Sequence, residues 1–282
     1  MKAVVFVGSM SKPFSPAVCV PMAKNKQAKE SQDNRQALSA DALDDDMLLH
    51  GGIDLSSVVA EISTESVARY FGGSRYKPDD QTAARIQHCV QAASSLACPR
   101  ATYSLHEVSQ AISGAQLILE NGVQISVPDC LEASSSQMVA IIVGTLGAGL
   151  ENHCRDLAAQ GEVYQSTLFD AIGTAMLDLL SEEVSRIIAQ KGASRGLAPG
   201  PRFAPGIDGY PLEHQHLLFQ IADHTSIGVS LNSSAIMVPS KSISFIQTFL
   251  SRAVPTKRLN NKCSGCRMVD CQYRITHTAK DP

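Results

Sequence analysis

An α+β fold, with a twisted, largely antiparallel sheet flanked by helices, is what this sequence predicts, and three segments carry the prediction. The first is Gln116-Leu117-Ile118-Leu119-Glu120-Asn121-Gly122-Val123-Gln124-Ile125-Ser126-Val127. There Asn-Gly separates two alternating runs and supplies the two positive-φ positions of a type I′ hairpin turn. The second is a helix from about Thr167 to Gln190, in which Leu168, Ile172, Met176, Leu179, Val184 and Ile187 repeat helically. Thr167 and Asp170 have capping-box spacing at its start, and Gly192 follows its end. The third is a pair of β-like stretches, Ile227 to Leu231 and Ser242 to Ile246, after a short helix that Pro211 opens.

The remaining elements follow in chain order. Ser9 to about Asp46 is rich in Lys, Gln, Ser, Asn, Asp and Ala, lacks apolar periodicity and closes on Asp44-Asp45-Asp46, so residues 1–52 read as a poorly ordered leader. Order is expected from Ile53. A helix through Ser66 to Phe71 stops at Gly72-Gly73, and a second spans Asp80 to Leu96. Met138 to Gly147 is a buried strand that opens into a helix through glycine. Residues 53–250 then form the main domain and 251–282 a cysteine-rich tail.

Composition excludes several function classes. With 24 basic and 27 acidic residues, the chain has no electrostatic footprint for nucleic acid or anionic lipid. The longest apolar run, Met138 to Leu150, is 13 residues with three glycines, short of the ~20 a membrane span needs. The N-terminal apolar core after Lys2 is shorter than the roughly 7 to 15 residues of a signal peptide. A cytoplasmic location is expected, and the scatter of the eight cysteines favours a reducing compartment. There is no Walker loop, no H-E-x-x-H and no G-x-S-x-G, and Gly144-Thr145-Leu146-Gly147-Ala148-Gly149 lacks dinucleotide spacing, so close packing at a turn is its better reading. His214 and His216 point to different helix faces, and the adjacent Glu182 and Glu183 read as solvated.

Two segments suggest chemistry. In the loop Gly200 to Pro211, proline and glycine fix the backbone while leaving it accessible, and Arg202 is its one cation, suited to a bidentate carboxylate contact. The ending Cys263-Ser264-Gly265-Cys266-Arg267-Met268-Val269-Asp270-Cys271 places three thiols within nine residues, a spacing that suits one metal centre. C-x2-C-x4-C fits an iron-sulfur cluster with a fourth ligand from elsewhere, whereas adding His277 makes a Cys3His zinc site.

Arg202-Phe203-Ala204-Pro205-Gly206 resembles the R-x-A-P-G-Y motif of the activation domain of cobalamin-dependent methionine synthase. Asp170 to Ala175 and Ser181 to Val184 are similar to that domain's long helix, and Gly228 to Ser244 to its G-x-x-L-T-E-S-x-x-M-x-P-x-x-S-V-S-G segment. The resemblance spans roughly residues 55 to 250, with departures at Ile207, Ser233 and Phe245, and with Thr174 where the family can carry a ligand-binding acid. It implies an activation-domain fold that binds S-adenosylmethionine at Arg202, Ala204, Pro205 and Gly206, with Arg202 on the methionine carboxylate and backbone groups of Ala204 and Gly206 facing the ligand.

The function so implied is reductive reactivation of a cobalamin or corrinoid protein by an accessory subunit. The partner is methionine synthase or another corrinoid methyltransferase, with a reduced electron donor. The need for an electron favours iron-sulfur over zinc at Cys263, Cys266 and Cys271, because zinc has no redox chemistry. Two alternatives stand beside it: an iron-sulfur electron-transfer protein, and a non-catalytic subunit that docks on a corrinoid protein.

Overall fold

The computed structural model describes residues 50–54, 62–112, 116–128, 135–207, 209–251, 263, 268 and 270–275. The leader up to residue 49, Cys266 and His277 lie outside them. After β1 (His50–Asp54) come α1 (Thr64–Gly72) and α2 (Asp80–Leu96), then β2 (Arg100–Ile112), β3 (Gln116–Leu119), β4 (Gln124–Ser126) and β5 (Ser136–Thr145). The helices α3 (Gly149–Ala159) and α4 (Val163–Ala193) follow, then β6 (Ala198–Phe203), α5 (Gln215–Ile221), the short pair β7 (Ser230–Leu231) and β8 (Met237–Val238), and β9 (Ser242–Leu250).

The α+β expectation holds. A single antiparallel sheet has the order β4-β3-β2-β5-β9-β6, with β1 also on β2. The long β2 serves two neighbours on one edge, β1 along Arg100 to Ser104 and β3 along Val108 to Ile112, while β5 fills the other. Both faces of the sheet are covered. Met138, Ala140 and Ile142 of β5 face the helices with Phe245 and Phe249, whereas Val139, Ile141 and Val143 face a second cluster with Leu218, Phe219 and Ile246. A strand buried on both sides shows a continuous apolar run, as Val139 to Val143 does.

Helix α4 is the spine of the helical layer, contributing Leu168, Ile172, Met176, Leu180, Val184 and Ile188 to the core. It starts at Val163, four positions before the expected cap, and the Thr167 hydroxyl donates back to the Val163 carbonyl at 2.9 Å. Helix α1 has its cap at Ser63, whose hydroxyl accepts from the Ser66 N–H at 3.1 Å, and α2 has Asp79, which accepts from Thr82 at 2.8 Å. Gly192 near the end of α4 lets the Phe249 ring approach so closely that a Cβ there would lie 2.2 Å from it.

Three local readings change. The β3–β4 hairpin forms, but Gly122 alone has positive φ, and Gly122 and Leu119 donate to Leu119 and Val123 in a three-residue loop rather than a type I′ turn. Asn121 uses its side chain instead, accepting from the Val123 N–H at 3.0 Å. The stretch at Ile227 is a 3-10 turn leading into a two-residue strand. Cys98 is disulfide-bonded, which the expectation of a reducing compartment does not anticipate, while Cys89, Cys154, Cys263 and Cys271 form no disulfide. Among the described residues no helix is long and apolar enough to cross a membrane.

Burial pushes the Cys154 thiol up to about 11 and the Tyr210 phenol up to about 12. Ordinary values are about 8.5 and 10, so the folded state retains protons that the unfolded chain releases. The resulting stability is present below pH ~9 and is lost as pH rises through the folded values. Melting temperature is therefore expected to decline steadily from pH 9 to 12 in a thermal-melt series, and a flat profile would contradict this.

Candidate ligand site at the Arg202 loop

The segment expected as an irregular loop begins as edge strand β6. Proline is tolerated at an edge because the outer N–H groups have no ladder to complete. The pairing slips between Pro199 and Arg202, and β9 side chains hold the slipped backbone: Gln247 Nε2 donates to the Gly200 carbonyl at 2.7 Å and the Thr248 hydroxyl to the Pro201 carbonyl at 2.8 Å. A Cβ on Gly200 would lie 2.5 Å from the Thr248 hydroxyl, so the bulge requires glycine there. Arg202 then pairs with Gln247 and turns its side chain towards the helical layer.

There the guanidinium meets α4. Asp178, Ser181 and Ser185 are three and seven positions apart, hence on one side of the helix. Arg202 Nη1 donates to the Ser185 hydroxyl at 2.7 Å and reaches Ser181 at 3.4 Å, and its Cζ lies 5.6 Å from the Phe245 ring centre. Burial lowers the Arg202 pKa, opposed by the charges of Glu182 and Asp178. Among the described residues no carboxylate lies within ion-pair distance of it, and Nε and Nη2 make no hydrogen bond. The result is a half-buried cation with two nitrogens of its fork uncommitted.

The rest of the loop is a closed turn. Gly206 N–H donates to Tyr210 at 2.7 Å and Ile207 N–H to Ala204 at 3.1 Å, so the Gly206 donor and the Ala204 acceptor are engaged within the loop. Pro205 is buried, Ile207 is 56% exposed, and the Tyr210 hydroxyl donates to the Ser126 carbonyl at 2.5 Å. Gly206 has φ +83°. Gly206→Ala forces a left-handed alanine, at a cost of about 1–2 kcal/mol. The expected result is a matching drop in unfolding free energy in urea.

One turn before Ser181 on α4, Arg69 Nη2 pairs with Asp178 at 3.1 Å and the Tyr70 hydroxyl donates to the same oxygen. Burial and Asp178 together raise the Tyr70 pKa well above its ordinary value. The tail docks here: the Tyr273 ring lies 5.4 Å from that of Tyr70, and Ser74 N–H donates to the Gln272 carbonyl at 2.7 Å. Arg274 gathers the tail by donating to the Cys263 and Met268 carbonyls at 2.7 and 2.9 Å, and the Ile275 N–H points at Cys263 Sγ at 3.3 Å.

Among the described residues no group of three or more His, Cys, Asp or Glu is placed to hold a metal. Cys263 and Cys271 form no disulfide, and Cys266, the third thiol of that spacing, lies outside the described residues. Thr174 is engaged by Lys241. Its hydroxyl accepts from Lys241 Nζ at 2.9 Å, and Lys241 also pairs with Asp170 at 2.8 Å. Arg69, Tyr70, Asp178, Ser181 and Ser185 were not singled out from the sequence. The signal legible in the sequence is a row of polar residues at positions 178, 181 and 185, at helical spacing on α4.

The sequence matches no protein-family model and no curated protein. The fold does match a solved structure, that of the MetH reactivation domain bound to AdoHcy, with a TM-score of 0.53 and 12% sequence identity over 73% of this chain and 79% of that one. At that identity the likeness is one of fold. The chain has a reactivation-domain-like architecture, as the Arg202 motif and its flanking segments imply.

Proposed function

We propose that this protein assists reductive reactivation of a corrinoid protein, such as methionine synthase or another corrinoid methyltransferase, and that Arg202 holds the carboxylate of S-adenosylmethionine. The observation that carries the reading is the half-buried Arg202 guanidinium with Nε and Nη2 uncommitted. A planar fork of this kind matches a carboxylate bidentately, and a half-buried cation gains from such a partner. The fold is that of a domain solved with AdoHcy, which carries the same amino-acid end. S-adenosylmethionine supplies a transferable methyl group when bound. The chain's own share is to anchor one end of it while Pro205 and the turn at Gly206 keep the loop rigid.

The cobalamin is assigned to a partner polypeptide and the electron to a reduced donor. An iron-sulfur cluster at Cys263, Cys266 and Cys271 is proposed from spacing and from the docking of the tail beside α1. Calorimetric titration with S-adenosylhomocysteine and S-adenosylmethionine tests the ligand: saturable binding supports the reading, and no heat with either compound sinks it. Anaerobic purification with metal analysis tests the cluster, and a colourless protein containing zinc removes the electron-carrying role.

A further inference from the structure

The arrangement around Asp178 raises a question that ligand binding alone does not answer. Asp178 is three positions before Ser181 and seven before Ser185, on the side of α4 that receives Arg202, and its charge acts on that guanidinium. A half-buried cation near a carboxylate ordinarily pairs with it, because each charge loses some of its hydration there. Here the pairing goes elsewhere: Asp178 Oδ2 takes the Arg69 and Tyr70 donors. Those donors are themselves held, Arg69 by lying 4.6 Å over the Tyr70 ring and Tyr70 by its contact with Tyr273 of the tail.

We infer that Arg69 and Tyr70 are positioning residues that sequester Asp178 from Arg202, keeping the guanidinium fork open for a carboxylate ligand, and that the cysteine-bearing tail supports this through Tyr273. Asp178 is then an internal competitor for the site. Loss of the Tyr70 hydroxyl removes one of its donors and lets the carboxylate turn towards Arg202. The inference rests on the proposed carboxylate role of Arg202, and it gives the tail a function at the ligand site whether or not its thiols hold a metal.

The test uses the full chain and two readouts. In the ligand-free protein, the Arg202 Nε–H resonance in a proton–nitrogen NMR spectrum is expected to shift and exchange more slowly in Tyr70→Phe, and to return in Tyr70→Phe with Asp178→Asn. In titrations with S-adenosylhomocysteine, Tyr70→Phe is expected to bind about tenfold or more weakly, since hydrogen bonds to charged groups carry such weight. Adding Asp178→Asn is expected to restore affinity to near wild type, a rescue that a merely structural role for Tyr70 would not give. Asp178→Asn alone binds as well as wild type or better. Tyr273→Ala, which leaves Tyr70 intact, moves both readouts in the same direction as Tyr70→Phe and serves if that variant does not fold.

An unmoved Arg202 resonance in both Tyr70→Phe and Tyr273→Ala overturns the inference, as does weaker binding by Asp178→Asn, which would make Asp178 a ligand contact. If wild type binds no S-adenosylhomocysteine, the carboxylate reading fails while the NMR comparison still decides whether Asp178 is withheld from Arg202.

Discussion

Arg202→Ala is expected to weaken S-adenosylhomocysteine binding by at least ~30-fold, because truncating one partner of a buried charged contact costs roughly 2–5 kcal/mol. The same substitution should leave stability within about 1 kcal/mol of wild type. Arg202 has hydroxyls and a ring rather than a carboxylate at contact distance among the described residues, so its removal strands no buried counter-charge. Arg202→Lys should bind almost as poorly as alanine, since an ammonium keeps the charge but loses the planar fork. Calorimetric titrations paired with thermal melts check both halves. Binding that survives Arg202→Ala would move the ligand away from this loop.

Phe249→Ala is expected to cost about 3–5 kcal/mol of unfolding free energy. The ring is fully buried on the helical side of β9 and fills the space that Gly192 leaves open on α4. The reciprocal change, Gly192→Ala, places a Cβ inside the contact radius of the same ring and should cost roughly 1–3 kcal/mol by overpacking. Because the two residues share one contact, Gly192→Ala should cost less in the background of Phe249→Leu than alone, a coupling of about 0.5–3 kcal/mol. Urea titrations of the four proteins measure it, and strict additivity would show that Gly192 and Phe249 do not determine how α4 seats on the sheet.

Legibility in the sequence followed the physics of each element. Helix α4 is plain because its apolar positions repeat at helical spacing over a long span, and α2 is placed from Asp80 to Leu96, the span it has in the structure, where Asp79 caps it. The hairpin at Asn121-Gly122 was placed correctly, but its turn type depended on whether Asn121 entered the left-handed region or bonded locally, which residue type alone leaves undecided. Strand β2 escaped notice because Arg100 to His106 mixes Thr, Ser and His among its apolar residues while being buried almost throughout. Its polar groups are satisfied only in three dimensions, as with Thr102 donating to the Asp223 carbonyl at 2.9 Å and His106 beside Ser104 at 3.0 Å. Strand β6 read as loop because proline and glycine fill it.

At the site, Arg202 could be chosen from the motif, but its surroundings could not. Ser181 and Ser185 are ordinary helix residues until the slip in β6 pairing points the guanidinium at them. Asp178, Tyr70 and Tyr273 come from three separated stretches of chain, and only tertiary packing brings them together. The assignment of Glu182 as a solvated residue holds for its exposure but misses its electrostatic reach to Arg202.

The proline content of β6 also bears on how another protein can approach this flank. An open sheet edge normally invites an incoming strand to extend the ladder, a common way for peptides to dock and for proteins to aggregate. Pro199 and Pro201 lack the donors such an addition needs, and Pro205 continues the interruption past the end of the strand. A protein partner meeting this face therefore has side chains and the Gly206 turn to grip, and recognition there should depend on surface shape and charge instead of backbone pairing.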